Sequence, residues 1–156
     1  MSAMNPMNTS ASFKAEALTS GFARGPGVFI EPLSFWGGYD AETGTVVEQS
    51  HPAFGQTLAG VILLMRRAKG SSSSSSVLVE AIRNKTGPAG IVLCERDLII
   101  AIGVIVANEL YASQIPLVLV SSEDFERLCK TSGVIQIDAR AGEETARVAT
   151  ASSPAL

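Results

Sequence analysis

The chain is poor in the side chains that most often hold metals or act as catalytic nucleophiles. Its 156 residues include one histidine, His51, and two cysteines, Cys94 and Cys129, that lie far apart in the sequence. Two isolated cysteines cannot form a closed metal site alone, and they do not resemble the disulfide framework of a secreted protein. We therefore expect no metal site in this chain and a reducing, cytoplasmic location.

Basic charge and long apolar segments are also scarce. The formal net charge is −3, so no basic surface is expected for nucleic acid or for an acidic membrane. The most apolar run, Leu98 to Ala107, is shorter than the roughly 18 residues that span a bilayer. The N-terminus lacks the basic start and apolar core of a signal peptide. These absences predict a soluble protein.

The length predicts one domain with a flexible tail at each end. Residues 1–12 are rich in Met, Asn, Ser and Ala without a hydrophobic period, and residues 140–156 are small and polar. The folded domain is therefore expected over residues 13–139. Within the C-terminal tail, residues 143–148 could form a short helical turn.

The folded segment divides into two halves. Residues 13–60 predict short strands and turns, with turn residues at Gly21, Gly25, Pro26 and Gly27. From Val61 onward apolar strands alternate with helices. The sequence predicts strands 61–65, 90–94, 116–120 and 134–137, and helices 74–85, 97–110 and 121–129. This alternation implies parallel strands joined by right-handed crossovers. We expect an α/β fold with a strand-rich N-terminal half and a parallel βαβ C-terminal half.

The most distinctive segment follows the first of these strands: Gly70 and then six serines, Ser71 to Ser76. Such a composition is typical of a flexible linker, but neither flank is long enough to fold alone. One serine can cap the following helix. Because the other hydroxyls exceed what capping needs, the run favours contact with a ligand at a strand-to-helix turn.

A serine in this turn could bind an anionic group or act as a nucleophile or base. A helix terminus contributes about 0.3–1 kcal/mol, or ~2 kcal/mol when partly buried. At about 1.36 kcal/mol per unit, this lowers a hydroxyl pKa by only about one unit. Lys69 could add positive charge, but His51 lies in a predicted loop and is expected at the surface. Activation of Ser71 is therefore expected from a second protein surface that brings Arg, Lys or a metal.

A second candidate segment, residues 33–40, contains the single tryptophan. Trp36 could fill the core beside a tight turn. It could also form a wall around a ligand, with Gly37 and Gly38 allowing close approach, or anchor an interface.

Other polar residues have ordinary interpretations beside functional ones. The basic cluster of Arg66, Arg67 and Lys69 is either a solvated strand end or an attraction for an anionic substrate. Cys94 lies in an apolar run and is expected to be buried. Five scattered carboxylates are expected to serve solvation or helix capping: Glu31, Asp40, Glu42, Glu95 and Asp97.

Three motifs in order resemble a known family. The segments Glu31–Gly44 (EPLSFWGGYDAETG), Gly55–Gly60 (GQTLAG) and Lys69-Gly70-Ser71 resemble the small subunit of the aconitase X family. The resemblance runs from about Phe13 to Ile137. It implies the β/β/α fold of the swivel domain of aconitase.

The resemblance also implies a hydro-lyase divided over two chains. The large subunit would hold an iron–sulfur cluster and most substrate contacts, and the small subunit would supply the serine that follows Lys-Gly, which is Ser71. Ser71 would accept the proton at the carbon next to the carboxylate, while the metal draws off the hydroxyl. The weaker candidates for binding substrate or shaping the site are Trp36, Gly37, Gly38, Lys69, Gly70 and Ser72.

Two branches of this family have different substrates. One dehydrates cis-3-hydroxy-L-proline to 1-pyrroline-2-carboxylate, and the other dehydrates 5-phosphomevalonate. The six-serine run is more similar to the hydroxyproline branch, because the other branch continues Lys-Gly-Ser with Thr and a mixed run. A non-catalytic module that binds an anion, and a structural domain with a flexible serine run, are the alternatives.

Overall fold

The structure is a computed structural model that describes residues 10–131 and 133–151. Its strands are β1 (Ala11–Thr19), β2 (Gly21–Phe29), β3 (Tyr39–Asp40), β4 (Thr45–Val46), β5 (Ile62–Leu64), β6 (Gly90–Leu93), β7 (Leu117–Leu119), β8 (Val134–Ala139) and β9 (Thr145–Ala151). Its helices are α1 (Phe35–Gly38), α2 (Ser74–Arg83), α3 (Leu98–Tyr111) and α4 (Ser122–Cys129). Because Trp36 and Gly37 leave helical dihedral angles, α1 is a single distorted turn.

Across the described ranges, seven strands close into a barrel in the order β1-β7-β6-β5-β2-β8-β9. The neighbours β2, β5, β6 and β7 run parallel, as the alternation of strands and helices predicts. The remaining pairs of the barrel are antiparallel, and β3 forms a hairpin with β4. The predicted α/β class, rich in strands with a parallel βαβ half, is confirmed.

Two apolar layers follow from the alternation of side chains along a strand. Residues such as Ile62, Val92 and Val118 face the barrel interior, together with side chains from β8, β9 and α4. Their neighbours, such as Leu63 and Ile91, face outward and pack under α2 and α3. The parallel half of the barrel is therefore buried on both faces, as its continuous apolar runs indicate.

Strand β2 corrects one expectation about the N-terminal half. Gly21, Gly25, Pro26 and Gly27 lie inside this strand rather than in turns. A Cβ at Gly27 would lie 2.4 Å from Cδ1 of Ile135, and a Cβ at Gly25 would lie 2.8 Å from the carbonyl oxygen of Gly60. At these two glycines other parts of the same chain approach the strand too closely for a side chain, which is a common reason for glycine inside a strand.

Strand β9 corrects the expected C-terminal tail and its helical turn. Residues 145–151 pair with both β1 and β8. Ala146, Val148 and Thr150 are buried in alternation with exposed neighbours. Without β9 the facing edges of β1 and β8 would be unpaired, which a sheet protein avoids. Strand β1 likewise takes up residues 11 and 12 of the expected N-terminal tail; residues 1–9 and 152–156 lie outside the described part.

The helices α2, α3 and α4 lie close to their predicted ranges, and two have side-chain caps. Asp97 accepts hydrogen bonds from the N–H groups of Ile99 and Ile100 at the start of α3. Ser121 accepts from the N–H of Asp124 at the start of α4. In the part of the chain that the structure describes, no helix is long and apolar enough to cross a bilayer.

Candidate active site

Two turns meet at the carboxyl ends of the parallel strands. One is the serine turn, residues 70–73, between β5 and α2; the other is the tryptophan turn, residues 34–38, between β2 and β3. The N–H of Lys69 donates to the carbonyl of Leu33 at 3.2 Å and holds the two approaching segments together. The structure therefore brings together two segments that the sequence marks separately, at the carboxyl ends of parallel strands, where both open α/β sheets and closed β/α barrels bind ligands.

Ser74 links the two turns most directly. Its side chain is fully buried, and its Oγ accepts a hydrogen bond from the backbone N–H of Trp36 at 3.0 Å. Sequence reasoning missed this residue, because nothing in a run of identical serines shows which hydroxyl will be buried.

Gly70 allows the serine turn to approach the tryptophan turn. Its φ is +95°, and a Cβ there would lie only 2.2 Å from Oγ of Ser34. Ser34 in turn donates to the carbonyl of Trp36 at 2.9 Å. Any side chain at residue 70 would both strain the backbone and displace Ser34.

Ser71 is exposed and is held by the backbone of its own turn. Its Oγ accepts from the N–H of Ser73 at 3.1 Å, and its carbonyl accepts from the N–H of Ser74 at 3.0 Å. The accepted bond occupies a lone pair and leaves the hydroxyl free to face outward, close to the positive end of α2. Ser72 is also exposed.

The tryptophan turn presents an aromatic surface rather than a core side chain. Trp36 is 58% exposed, so the first of its three interpretations, a side chain that fills the core, is wrong. Gly37 has φ +79° with open space around it, whereas Gly38 is buried against Leu33 and Glu48. The two remaining interpretations of Trp36 are a ligand wall and an interface anchor.

The basic cluster beside the serine turn is matched by carboxylates. Nζ of Lys69 lies 3.3 Å from Glu48, and Nη1 of Arg67 lies 3.2 Å from Glu95. Arg66 forms an ion pair with Glu126 and lies over the ring of Phe125. Such exposed pairs are worth little in stability, but they leave each cation of the cluster with a partner.

His51 is buried, so its expected surface position is wrong. Its Nε2 donates to the carbonyl of Glu31 at 2.9 Å, and its Nδ1 accepts from the N–H of Ala53 at 2.9 Å. An accepting Nδ1 requires the neutral ring with its proton on Nε2. The two bonds give His51 a positioning role for the segment that leads into the tryptophan turn.

Asp97 extends its cap to the segment that leads into the serine turn. Besides capping α3, its Oδ2 accepts from the N–H of Ala68 at 3.0 Å. The expected capping role is confirmed, and the second link was not predicted. One carboxylate thus fixes both the start of α3 and the approach to Ser71.

The side chains that the structure describes do not fit an iron–sulfur cluster. Within the described residues, no three His, Cys, Asp or Glu side chains come together to hold a metal ion. Clusters need several convergent thiolates, whereas the free cysteines Cys94 and Cys129 lie partly buried against the barrel core. Burial raises the pKa of Cys129 to about 11, which disfavours its thiolate. Cys94 is less buried than its apolar run predicts.

A mixed barrel with helices over its parallel strands, and a hydroxyl-rich turn at their carboxyl ends, places this chain in the class of swivel domains. Aconitase X from Thermococcus kodakaraensis, in its holo-form, has the same fold, with a TM-score of 0.73 and 31% identity over 88% of this chain and 98% of that chain. The sequence model of the aconitase X swivel domain matches residues 12–146. The chain belongs to the aconitase X swivel-domain family.

Two relatives show what accompanies this domain elsewhere. The cis-3-hydroxy-L-proline dehydratase of Hypocrea jecorina is 38% identical over 74% of this chain, which spans only 20% of that relative's length. The phosphomevalonate dehydratase small subunit of Methanothermobacter thermautotrophicus is 39% identical over 81% of this chain and 92% of its own length. The relatives are therefore dehydratases or their small subunits.

Proposed function

We propose that this chain is the small subunit of a two-chain hydro-lyase that dehydrates cis-3-hydroxy-L-proline, and that Ser71 is its proton acceptor. The observation that carries the proposal is the placement of the Ser71 hydroxyl, exposed at the start of α2 and beside the tryptophan turn. In a chain of this family, that placement supports a role at the reacting atoms.

The proposed reaction is the loss of water across two ring carbons. Ser71 accepts the proton from the carbon that bears the carboxylate, and the hydroxyl leaves from the neighbouring carbon. The product is an enamine, which becomes 1-pyrroline-2-carboxylate when a proton moves from nitrogen to carbon. The start of α2 lowers the pKa of Ser71 by only about one unit, so the remaining activation is assigned to the large subunit.

We place the iron–sulfur cluster in the large subunit, because residues 10–131 and 133–151 of this chain include no fitting set of ligands. Trp36, Gly37, Gly38, Lys69, Gly70 and Ser72 are proposed to shape the substrate site around Ser71. Their support is the contact between the two turns. The two free cysteines support a cytoplasmic location for the complex.

Two observations favour hydroxyproline as the substrate. The six-serine run resembles the hydroxyproline branch, and the cations of the basic cluster are each paired with a carboxylate. A phosphate bound by these cations would compete with the carboxylates. Phosphomevalonate is the second candidate, because relatives that act on the two substrates are 38% and 39% identical to this chain.

The backbone of the serine turn weighs against a simple anion-binding module. The N–H groups of residues 73–76 already donate to oxygens of Ser71, Ser72 and Ser73. These are the donors that would otherwise bind an anion at a helix start. The groups that the serine turn exposes to solvent are the hydroxyls of Ser71 and Ser72.

The test is an assay of the purified complex of this chain with its large subunit. We expect cis-3-hydroxy-L-proline to be converted to 1-pyrroline-2-carboxylate, detected by mass spectrometry, with 5-phosphomevalonate unchanged. If only 5-phosphomevalonate is turned over, the proposed substrate is wrong and the proposed reaction class, dehydration, still holds. If the complex turns over neither substrate and calorimetry shows that this chain binds phosphate, the chain is an anion-binding module and not a dehydratase subunit.

A further inference from the structure

The outward face of α3 is apolar over most of its length, and Glu109 is its one exposed charged residue. Six large apolar or aromatic side chains on this helix are exposed, with Leu98 at 70%, Ile102 at 52% and Leu110 at 65%. The others are Ile105, Val106 and Tyr111. Their spacing of three and four residues puts most of them on one side of a helix about 20 Å long. We call these six residues the α3 face.

The α3 face is additional to the packing that holds the helix in place. The opposite side of α3 is already buried, through Ile100, Val104 and Ala107, and Gly103 lies against Leu78 of α2. Glu109 is the one charged residue of this helix, whereas the exposed side of α4 carries Glu123, Glu126 and Arg127. An exposed apolar surface with a single charged residue in it is typical of an interaction site.

The α3 face begins beside the serine turn. Ser75 of α2 donates through Oγ to the carbonyl of Ile99 at 2.7 Å. Asp97, which caps α3, also holds the N–H of Ala68. A protein that covers the start of this face therefore comes close to Ser71.

The lengths of the relatives indicate what covers it. The hydroxyproline relative carries about four fifths of its length outside the region that this chain matches, and other relatives are named small subunits. The domain therefore works beside a larger body of protein. A relative whose name is that of a small subunit has a larger partner chain by that name, which favours the large subunit over a second copy of this chain as the occupant of the α3 face.

We propose that the α3 face is the surface on which the large subunit docks, with an apolar, weakly charged patch of its own. This inference rests on the proposed function for the identity of the partner. The aliphatic residues form the centre of the contact. Tyr111, at the far end, lines a cleft of about 460 Å³ with Pro88 and Ile115, which can receive a side chain of the partner.

The test is co-expression of the large subunit with a tagged double variant, Ile102→Glu/Ile105→Glu. Both residues are exposed and glutamate is a good helix former, so the variant is expected to fold, with unchanged circular dichroism and thermal midpoint. Recovery of the large subunit with the tagged chain should fall at least tenfold. Phe22→Glu is the control, because Phe22 is 59% exposed on β2, and it should leave recovery unchanged.

The outcomes separate this inference from the proposed function. A double variant that recovers the large subunit as well as the wild type overturns docking on α3, even if the complex is an active dehydratase. If the double variant instead dissociates a dimer of this chain while the large subunit still binds, the face belongs to a second copy and the inference fails. Loss of recovery with a wild-type complex inactive on both substrates keeps the docking surface and removes the proposed function.

Discussion

The serines that follow Gly70 differ in environment, and each environment sets what the hydroxyl can do. Ser74 is buried and accepts from the tryptophan turn, while Ser75 donates to α3. Ser71 is exposed and makes its bonds within its own turn. A run that looks uniform therefore contains two structural hydroxyls, those of Ser74 and Ser75, beside exposed ones such as that of Ser71.

The buried hydroxyl of Ser74 gives the first prediction at this scale. Ser74→Ala leaves the N–H of Trp36 without its acceptor, and an unsatisfied buried group costs about 1–3 kcal/mol. We expect the free energy of unfolding to fall by about that amount in urea titrations. Ser76→Ala is the matched control, because Ser76 is exposed. Equal stability of the two variants would contradict the assigned role of Ser74.

Gly70 gives the second prediction. Gly70→Ala forces a side chain into a left-handed φ, at about 1–2 kcal/mol, and against Ser34. Gly55→Ala carries the first cost alone, because Gly55 has φ +85° and open space. We expect Gly70→Ala to be clearly less stable than Gly55→Ala and to reduce turnover of the complex. Similar unfolding curves for both would show that the contact with Ser34 does not constrain the turn.

At the scale of elements, Asp97 couples α3 to the segment before the serine turn. Asp97→Ala should lower the free energy of unfolding by about 2 kcal/mol, since it removes a cap and the acceptor of Ala68. It should also lower kcat of the complex, because the approach to Ser71 loosens.

Ser121→Ala is the control for Asp97, because Ser121 caps α4 with one bond. We expect a smaller loss of stability, about 1 kcal/mol, and unchanged kcat. If Asp97→Ala kept full activity, the link to the serine turn would have no catalytic consequence.

The sequence predicts elements well where the hydrophobic period is strong. The strands and helices from residue 61 to residue 137 follow from apolar runs and cap residues such as Asp97 and Ser121. Strand β9 was missed because its buried alternation uses small side chains, Ala146 and Thr150, around a single Val148. Turns were predicted inside strand β2 because it contains several glycines. In the structure these glycines allow close packing, which depends on the fold and is not visible in the sequence.

The candidate site was predictable in part. The serine turn and the tryptophan turn stand out by composition, and the resemblance to a family adds a hypothesis for Ser71. The contacts that hold them, from Ser74, Asp97 and the buried His51, join residues up to 38 positions apart. No local pattern specifies such pairings, since they depend on which strands become neighbours.

At the scale of the whole molecule, the phenol of Tyr39 and the thiol of Cys129 predict that the free energy of unfolding falls at alkaline pH. Burial, with a smaller contribution from the charge of Asp40, raises the pKa of Tyr39, and burial raises that of Cys129 to about 11. The folded chain therefore keeps protons that the unfolded chain releases near its ordinary pKa values. The free energy of unfolding should be level below about pH 9 and fall above it.

Urea titrations from pH 7 to 10.5 measure this effect, and Tyr39→Phe is the comparison. The variant loses the hydrogen bond from Tyr39 Oη to Thr86, at about 1 kcal/mol, but it should show a shallower decline above pH 9. If the free energy of unfolding falls equally steeply with pH in the variant and the wild type, Tyr39 does not contribute to the loss of stability.

The whole molecule combines a filled core with exposed apolar side chains near the serine turn. Its core is complete, with the barrel filled and α2 and α3 packed over the parallel strands. The α3 face and Trp36 remain exposed, and both adjoin the segment that carries Ser71. A stable domain with an exposed hydroxyl and apolar surface nearby is what closure against a partner requires.

The most direct test of the central claim is turnover of the two-chain complex that carries Ser71→Ala. We predict normal recovery of the large subunit and a fall in kcat of at least ~100-fold, as loss of a proton acceptor implies, while Ser76→Ala keeps wild-type kcat. A Ser71→Ala complex that turns over within a few-fold of the wild type would contradict the claim that this hydroxyl takes the proton.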